Sequence, residues 1–171
     1  MGLPEIISGR VWKLGDHVNT DVLHPSSFFS LDAERVEEGI KEGMERLGAD
    51  LRGNALADGL IIVAGENFGC GSSRETSVRG LRNFGVRGVV AASFARIFMR
   101  SLINLGIPAV ECREIQSLVG DGDRIHLNFK EGWIEIEGGE CISFSPLDIH
   151  VRKILEAGGL IPYLRRETHA I

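Results

Sequence analysis

Between Gly59 and Cys112, three short apolar runs alternate with two stretches of helical character, and this alternation constrains the fold more than any other feature of the chain. The runs are "GLIIVA", "VRGVVAA" and "IPAVEC"; the helical stretches run from about Ser73 to Phe84 and over "FARIFMRSLINL". Continuous apolar runs suit strands buried on both faces, because a strand with one wet face shows polar residues at alternate positions. Gly85 and Gly106 stand where each helix must stop, and glycine accepts the left-handed conformation that closes a helix end. A β-α-β-α-β order implies right-handed crossovers, which lay the strands side by side in a parallel sheet.

The flanks add different elements. "GRVWKL" (Gly9–Leu14) reads as a short strand that enters a polar loop, "GDHVNTDVLHPSSFFS", whose Pro25, Ser, Asn and Asp residues disfavour regular structure. From Asp32 to Leu47, the residues Val36, Ile40, Met44 and Leu47 recur at helical spacing behind Asp32 as N-cap, with Gly39 and Gly43 weakening the helix. After Gly120 the period becomes two: "RIHLNF" and "WIEIE" alternate apolar with polar, and "KEG" between them makes an antiparallel hairpin. "SPLDIHVRKILEAGG" closes as a helix, with Ser145 as cap, Pro146 in the first turn and glycines past the end. A parallel unit carrying an antiparallel layer predicts a three-layer β/β/α domain of the α/β class. With 171 residues and no repeat or low-complexity linker, residues 1–171 are expected to form one domain.

Composition excludes several functions. A net charge of -5 argues against nucleic acid or an anionic membrane surface as partner, though not against a small anion in a locally positive pocket. No apolar stretch approaches the roughly 20 residues of a membrane span, and "MGLPEIISGR" has no signal-peptide pattern, so a cytoplasmic protein is expected. Cys70, Cys112 and Cys141 are odd in number, far apart and without a C-x-x-C pair, which disfavours disulfides and any zinc or iron–sulfur site built from this chain alone. Cys112 and Cys141, in apolar strand-like surroundings, read as small core residues, and Cys70 as a space-filling residue of a glycine loop.

That loop, "GENFGCGSSRE" (Gly65–Glu75), joins a buried strand to a helix, where backbone N–H groups and the helix dipole favour an anion. It matches neither common phosphate signature: it has no lysine, and Arg74 stands where G-x-G-x-x-G needs its last glycine. Arg74 offers a fork suited to a carboxylate, with Ser72 and Ser73 beside it. Ser72-Ser73-Arg74-Glu75 also fits a capping box, with Glu75 reaching back to Ser72. Three glycines within seven residues, Gly65, Gly69 and Gly71, exceed what a cap requires and favour a ligand.

At these residues the chain resembles the aconitase superfamily, in particular the separate small subunits of isopropylmalate isomerases and homoaconitases. The matching pieces are "GRVWKLGDHVNTDVLHP", "GENFGCGSSRE" and "SFARIFMRSLINLGIP", covering Gly9 to Pro108 in the family's order. The resemblance implies a swivelling β/β/α domain and a two-part hydro-lyase acting on a small di- or tricarboxylate, in leucine biosynthesis where the substrate is an isopropylmalate. It implies no cofactor in this chain; a [4Fe-4S] cluster is expected on a partner large subunit. It also implies that Ser72 is the base removing the α-proton, that Ser73, Arg74 and Gly71 meet the substrate, and that Asp21, with Thr20 beside it, is an acidic active-site residue. From the residues alone Asp21 serves equally as a turn former in "NTD". His17 and His24 flank that motif as loop histidines with no assigned role.

Two departures from the family pattern stand out. The motif often continues "SSREHA", whereas here Thr76 and Ser77 follow Glu75. In the loop after Pro25, homoaconitases tend to have an arginine where this chain has Ser30, and no Lys or Arg occurs between Lys13 and Arg35. Phe28, Phe29 and Leu31 suit an apolar branch on the substrate, although the phenylalanines serve core packing equally well. The expected substrate is a malate with an apolar branch. The alternatives are a homoaconitase, a dehydratase of smaller methylated malates or, outside this class, a non-catalytic carboxylate-binding module.

Overall fold

Strands β1 (Ile7–Lys13), β2 (Leu60–Ala64), β3 (Val86–Ala91) and β4 (Ala109–Glu111) run parallel, in the order β4-β3-β2-β1. This is a computed structural model, and it describes residues 4–49, 58–72 and 75–168. On the other side of β1 the sheet continues antiparallel through β5 (Arg124–Asn128), β6 (Trp133–Ile136) and β7 (Cys141–Ser143), giving seven strands in one sheet.

The apolar runs are continuous because both faces of the parallel half are covered. Side chains alternate along a strand. Leu60, Ile62 and Ala64 of β2 therefore join Val89 and Ala91 of β3 in one core, and Ile61 and Val63 join Val90 and Val110 in another. Helices α2 (Ala33–Arg46), α3 (Glu75–Asn83) and α4 (Arg96–Asn104) cover the first core with Ile40, Met44, Val78, Leu81, Phe98 and Leu102. The second is closed by Ile125, Leu127, Ile134 and Ile142 of the antiparallel strands, which curl across it. The expected β/β/α layers are present, and β1, paired on both sides, joins the two β layers.

Several local details differ from the sequence reading. The polar loop after β1 holds a one-turn helix, α1 (Thr20–Leu23), and a 3-10 turn at Ser26–Phe28. A short helix α5 (Ile115–Leu118), strand β7 and a C-terminal helix α7 (Leu160–Thr168) were not expected. The last long helix but one, α6, spans Ile149–Glu156, and its cap is Asp148, whose Oδ1 accepts from the His150 N–H at 2.8 Å. Ser145 is not the cap: Leu147 donates its N–H to the Phe129 carbonyl, and residues 145–147 lie outside the helix. Cys141 is exposed on the edge strand rather than buried, since β7 turns that side chain outward. Among the described residues no helix is long and apolar enough to cross a membrane.

Gly39 and Gly43 of α2, which weaken the helix in isolation, have a packing purpose. A Cβ on Gly43 would press on the Leu23 carbonyl and lie 2.7 Å from the Val22 carbonyl oxygen; one on Gly39 would lie 2.6 Å from the His24 ring. Helix α2 can seat α1 and the following turn only because these two positions carry no side chain.

Candidate active site

In parallel sheets, ligands bind beyond the carboxyl ends of the strands. Here three loops leave the ends of β1, β2 and β3 and zip together. Gly65 N–H donates to the Gly15 carbonyl (3.1 Å), His17 N–H to Glu66 (2.7 Å), Gly69 N–H to Val18 (3.0 Å) and Thr20 N–H to Cys70 (2.8 Å). On the other side, Phe68 N–H donates to Ser93 (3.0 Å) and Ala95 N–H to Phe68 (2.9 Å). The parallel pairing thus continues as single bridges, Asn19 with Cys70 and Phe68 with Phe94.

This zipper accounts for the loop glycines. A Cβ on Gly65 would press on the Asp16 carboxylate, which accepts the Glu66 N–H, and one on Gly69 would press on Phe98. Gly71 has φ +104°, and its Cβ would lie 2.8 Å from Asn19 Cγ. The protein's own packing therefore requires all three, and their number is not by itself a sign of a ligand. Cys70 is half-buried and points its thiol at the His17 carbonyl (3.3 Å).

The two motifs singled out from sequence meet at α1. Asn19 caps this helix, accepting the Asp21 N–H at 2.8 Å. Thr20, fully buried, donates its Oγ1 hydrogen to the Ser72 carbonyl at 2.8 Å, across 52 residues of sequence. Asp21 is exposed at the start of α1 and Ser72 half-buried beside it, with Gly71 exposed. Among the described residues no acceptor meets the N–H of Gly71 or that of Ser72. Ser73 and Arg74 lie outside the described residues.

The segment from Phe28 to Leu31 follows α1 and leads into α2. Leu31 is 95% exposed, and Phe28 and Phe29 are half-buried. Ser30 Oγ accepts the Asp32 N–H at 3.0 Å, at the entrance to α2. Arg35, in the first turn of α2, folds back over this segment: it donates to the Ser27 carbonyl at 2.8 Å, with its guanidinium 5.9 Å from the Phe28 ring centroid.

His24 is the residue that sequence reading passed over. It is completely buried, shares a hydrogen bond between Nδ1 and Ser77 Oγ (3.1 Å) and stands edge-on to Phe29, with centroids 5.0 Å apart. The departure from the family motif at Ser77 supplies that hydroxyl, so the pairing of an unusual serine with an adjacent-motif histidine was the available signal. His17, by contrast, is exposed, at φ 54°.

The three cysteines do not converge among the described residues. Cys70, Cys112 and Cys141 lie in the β2–α3 loop, just past β4 and on β7, and among the described residues no three His, Cys, Asp or Glu side chains gather as a metal site. Burial pushes the Cys112 thiol above its usual 9.0, away from the thiolate that a metal needs.

Residues 37–114 match the family profile of the aconitase C-terminal domain. The chain is 42% identical to the isopropylmalate/citramalate isomerase small subunit of Methanocaldococcus jannaschii over 95% of both chains. It is 38% identical to a 3-isopropylmalate dehydratase small subunit of Thermotoga maritima, over 94% of this chain and 96% of that one. A crystal structure described as a 3-isopropylmalate dehydratase from M. jannaschii superposes with a TM-score of 0.83 at 34% identity, covering 96% of each chain. By sequence over nearly its whole length, and by fold, the chain belongs to the aconitase-superfamily family of 3-isopropylmalate dehydratase small subunits.

Proposed function

We propose that this chain is the small subunit of a two-subunit hydro-lyase that isomerises a malate with an apolar branch, isopropylmalate foremost, as a step of leucine biosynthesis. The observation that carries the reading is the Thr20–Ser72 hydrogen bond, which joins "NTD" and "GCGSSRE" at the carboxyl edge of the sheet. In this reading Ser72 Oγ takes the α-proton. A serine hydroxyl is a weak base at neutral pH, so its alkoxide requires nearby donors, for which the N–H groups of Gly71 and Ser72 are candidates. Arg74 and Ser73 hold a substrate carboxylate, Arg74 by its bidentate fork, and Asp21 faces the reacting centre as the acidic residue. In this reading, as the family resemblance implies, a [4Fe-4S] cluster belongs to the large subunit, and the scattered cysteines of this chain are consistent with that.

Phe28, Phe29 and Leu31, with Ser30 in place of a cation, support an apolar branch over a third carboxylate. The Arg35 guanidinium, which lies against this segment, is engaged by the loop's own Ser27 carbonyl. The paired name of the M. jannaschii relative favours a second substrate, citramalate, whose branch is also apolar. The test is coexpression with a cluster-bearing large subunit and a panel of isopropylmalate, citramalate and homocitrate. Ser72→Ala should lower kcat by roughly 10²–10⁴-fold with little change in binding, the scale for losing a positioned proton-transfer group. Near-normal turnover by a folded Ser72→Ala complex would return the segment to a simple helix cap.

A further inference from the structure

Thr20 and His24 bracket α1, one turn apart, and both are buried to within 1%. Each reaches a different part of the segment that leads into α3. Thr20 Oγ1 holds the Ser72 carbonyl at 2.8 Å, and His24 Nδ1 holds Ser77 Oγ at 3.1 Å. The chain is thereby gripped at Ser72 and at Ser77, on either side of Ser73 and Arg74 in sequence. The His24 backbone N–H donates to the Thr20 carbonyl at 2.8 Å, so the two grips are parts of one rigid turn.

His24 also begins the wall that faces the substrate's branch. Pro25 follows it directly at φ −57°, a ring-fixed angle, so the course of the next residues is set by where His24 is anchored. Phe29 returns to stand edge-on to the imidazole at 5.0 Å and 74°. Helix α2 supplies the floor, bare at Gly39. Three elements therefore converge on one imidazole: the turn that contacts Ser72, the helix that follows Arg74, and the wall built from Phe28 to Leu31.

We propose that His24 and Ser77 are positioning residues for substrate discrimination: their hydrogen bond fixes the Pro25–Leu31 wall relative to the Ser72 loop. This rests on the functional reading above. Losing the bond should harm a bulky branch more than a small one, because only the bulky branch depends on where the wall stands. A merely structural role would lower stability and affect all substrates alike.

The experiment uses the cluster-loaded complex of both subunits and measures kcat/KM for isopropylmalate and citramalate. Ser77→Ala removes the Nδ1 partner of a buried imidazole and risks a loss of folding, so the decisive variant is His24→Leu with Ser77→Ala, which replaces both groups of that bond by apolar ones and preserves a packed interior. Its isopropylmalate-to-citramalate ratio should fall about tenfold, the scale of misplacing one or two methylenes in a pocket. Amide exchange over residues 25–31 of the isolated chain should rise by a similar factor, since the wall would open locally. His24→Asn, whose amide can occupy the place of Nδ1, should keep the parent ratio. A double variant with unchanged ratio and exchange overturns the proposal, as does His24→Asn behaving like the double variant. If the parent complex turns over neither malate, it is the functional reading that falls.

Discussion

Gly43→Ala should destabilise this protein, although alanine is the better helix former. In a free helix interior the exchange would be worth about 1 kcal/mol in favour of alanine. Here the new methyl would press on the Leu23 carbonyl and sit 2.7 Å from the Val22 carbonyl oxygen, against an ordinary contact limit of 3.4 Å. Both obstacles are backbone of α1, which cannot rotate away as a side chain can, so α1 must retreat by at least about 0.7 Å. Overpacking of this kind costs about 1–3 kcal/mol. The retreat also strains the two Thr20 bonds, to Cys70 and Ser72, each worth about 0.5–1.5 kcal/mol. The net expectation is a loss of about 2–3 kcal/mol, or about 5–10 °C in Tm for a chain of this size. Denaturant titration of the purified chain reads it directly. Gly15→Ala is the control, because nothing stands within 4 Å of its Cβ and its backbone is not left-handed; it should stay within about 0.5 kcal/mol of the parent. A Gly43→Ala chain as stable as the parent, or more so, would refute the direct seating of α1 on α2.

Asp148→Ala should cost about 1 kcal/mol by removing the α6 cap, whereas Ser145→Ala should cost nothing measurable in the same melt. Cys141 should react with a thiol probe at pH 8 long before Cys112, because burial holds Cys112 protonated; stability should also fall as pH rises beyond 9.0, where an unfolded Cys112 ionises and the folded one resists, and a Cys112→Ala variant should lose that dependence. Ser30→Arg, assayed in the two-subunit complex, should raise the homocitrate-to-isopropylmalate ratio of kcat/KM by roughly tenfold, the yield of one charge-assisted hydrogen bond. An unmoved ratio would mean that Ser30 does not face the variable group.

The parts of the fold that were legible in the sequence are those where one physical requirement acts alone. The parallel strands are buried on both faces, so their runs are unbroken, and Asp32 caps α2 with a bond to the Glu34 N–H. The misreadings fall where a tertiary partner overrides a local preference. Ser145 and Asp148 are equally good caps in isolation, and the Leu147–Phe129 bond between distant segments decides for Asp148. The glycine pair 158–159 does end α6, with φ of 89° and 124°, but the chain then restarts as α7, which buries none of its residues and so shows no core periodicity to read.

The site follows the same rule in reverse. Gly65, Gly69 and Gly71 looked like accommodation for a ligand, yet each is emptied by a neighbour in the protein: Asp16, Phe98 and Asn19. Two of those neighbours come from the β1 loop, so the glycines report how closely that loop lies against the β2 loop. That closeness is what lets Thr20, next to Asp21, hold the Ser72 carbonyl. His24 and Ser77 carry the same information in polar form. Ser77 stands out in the sequence as a departure and His24 as a histidine without a role, but their bond, across 53 residues, is visible only once α1 is seated on glycines that appeared to weaken a helix.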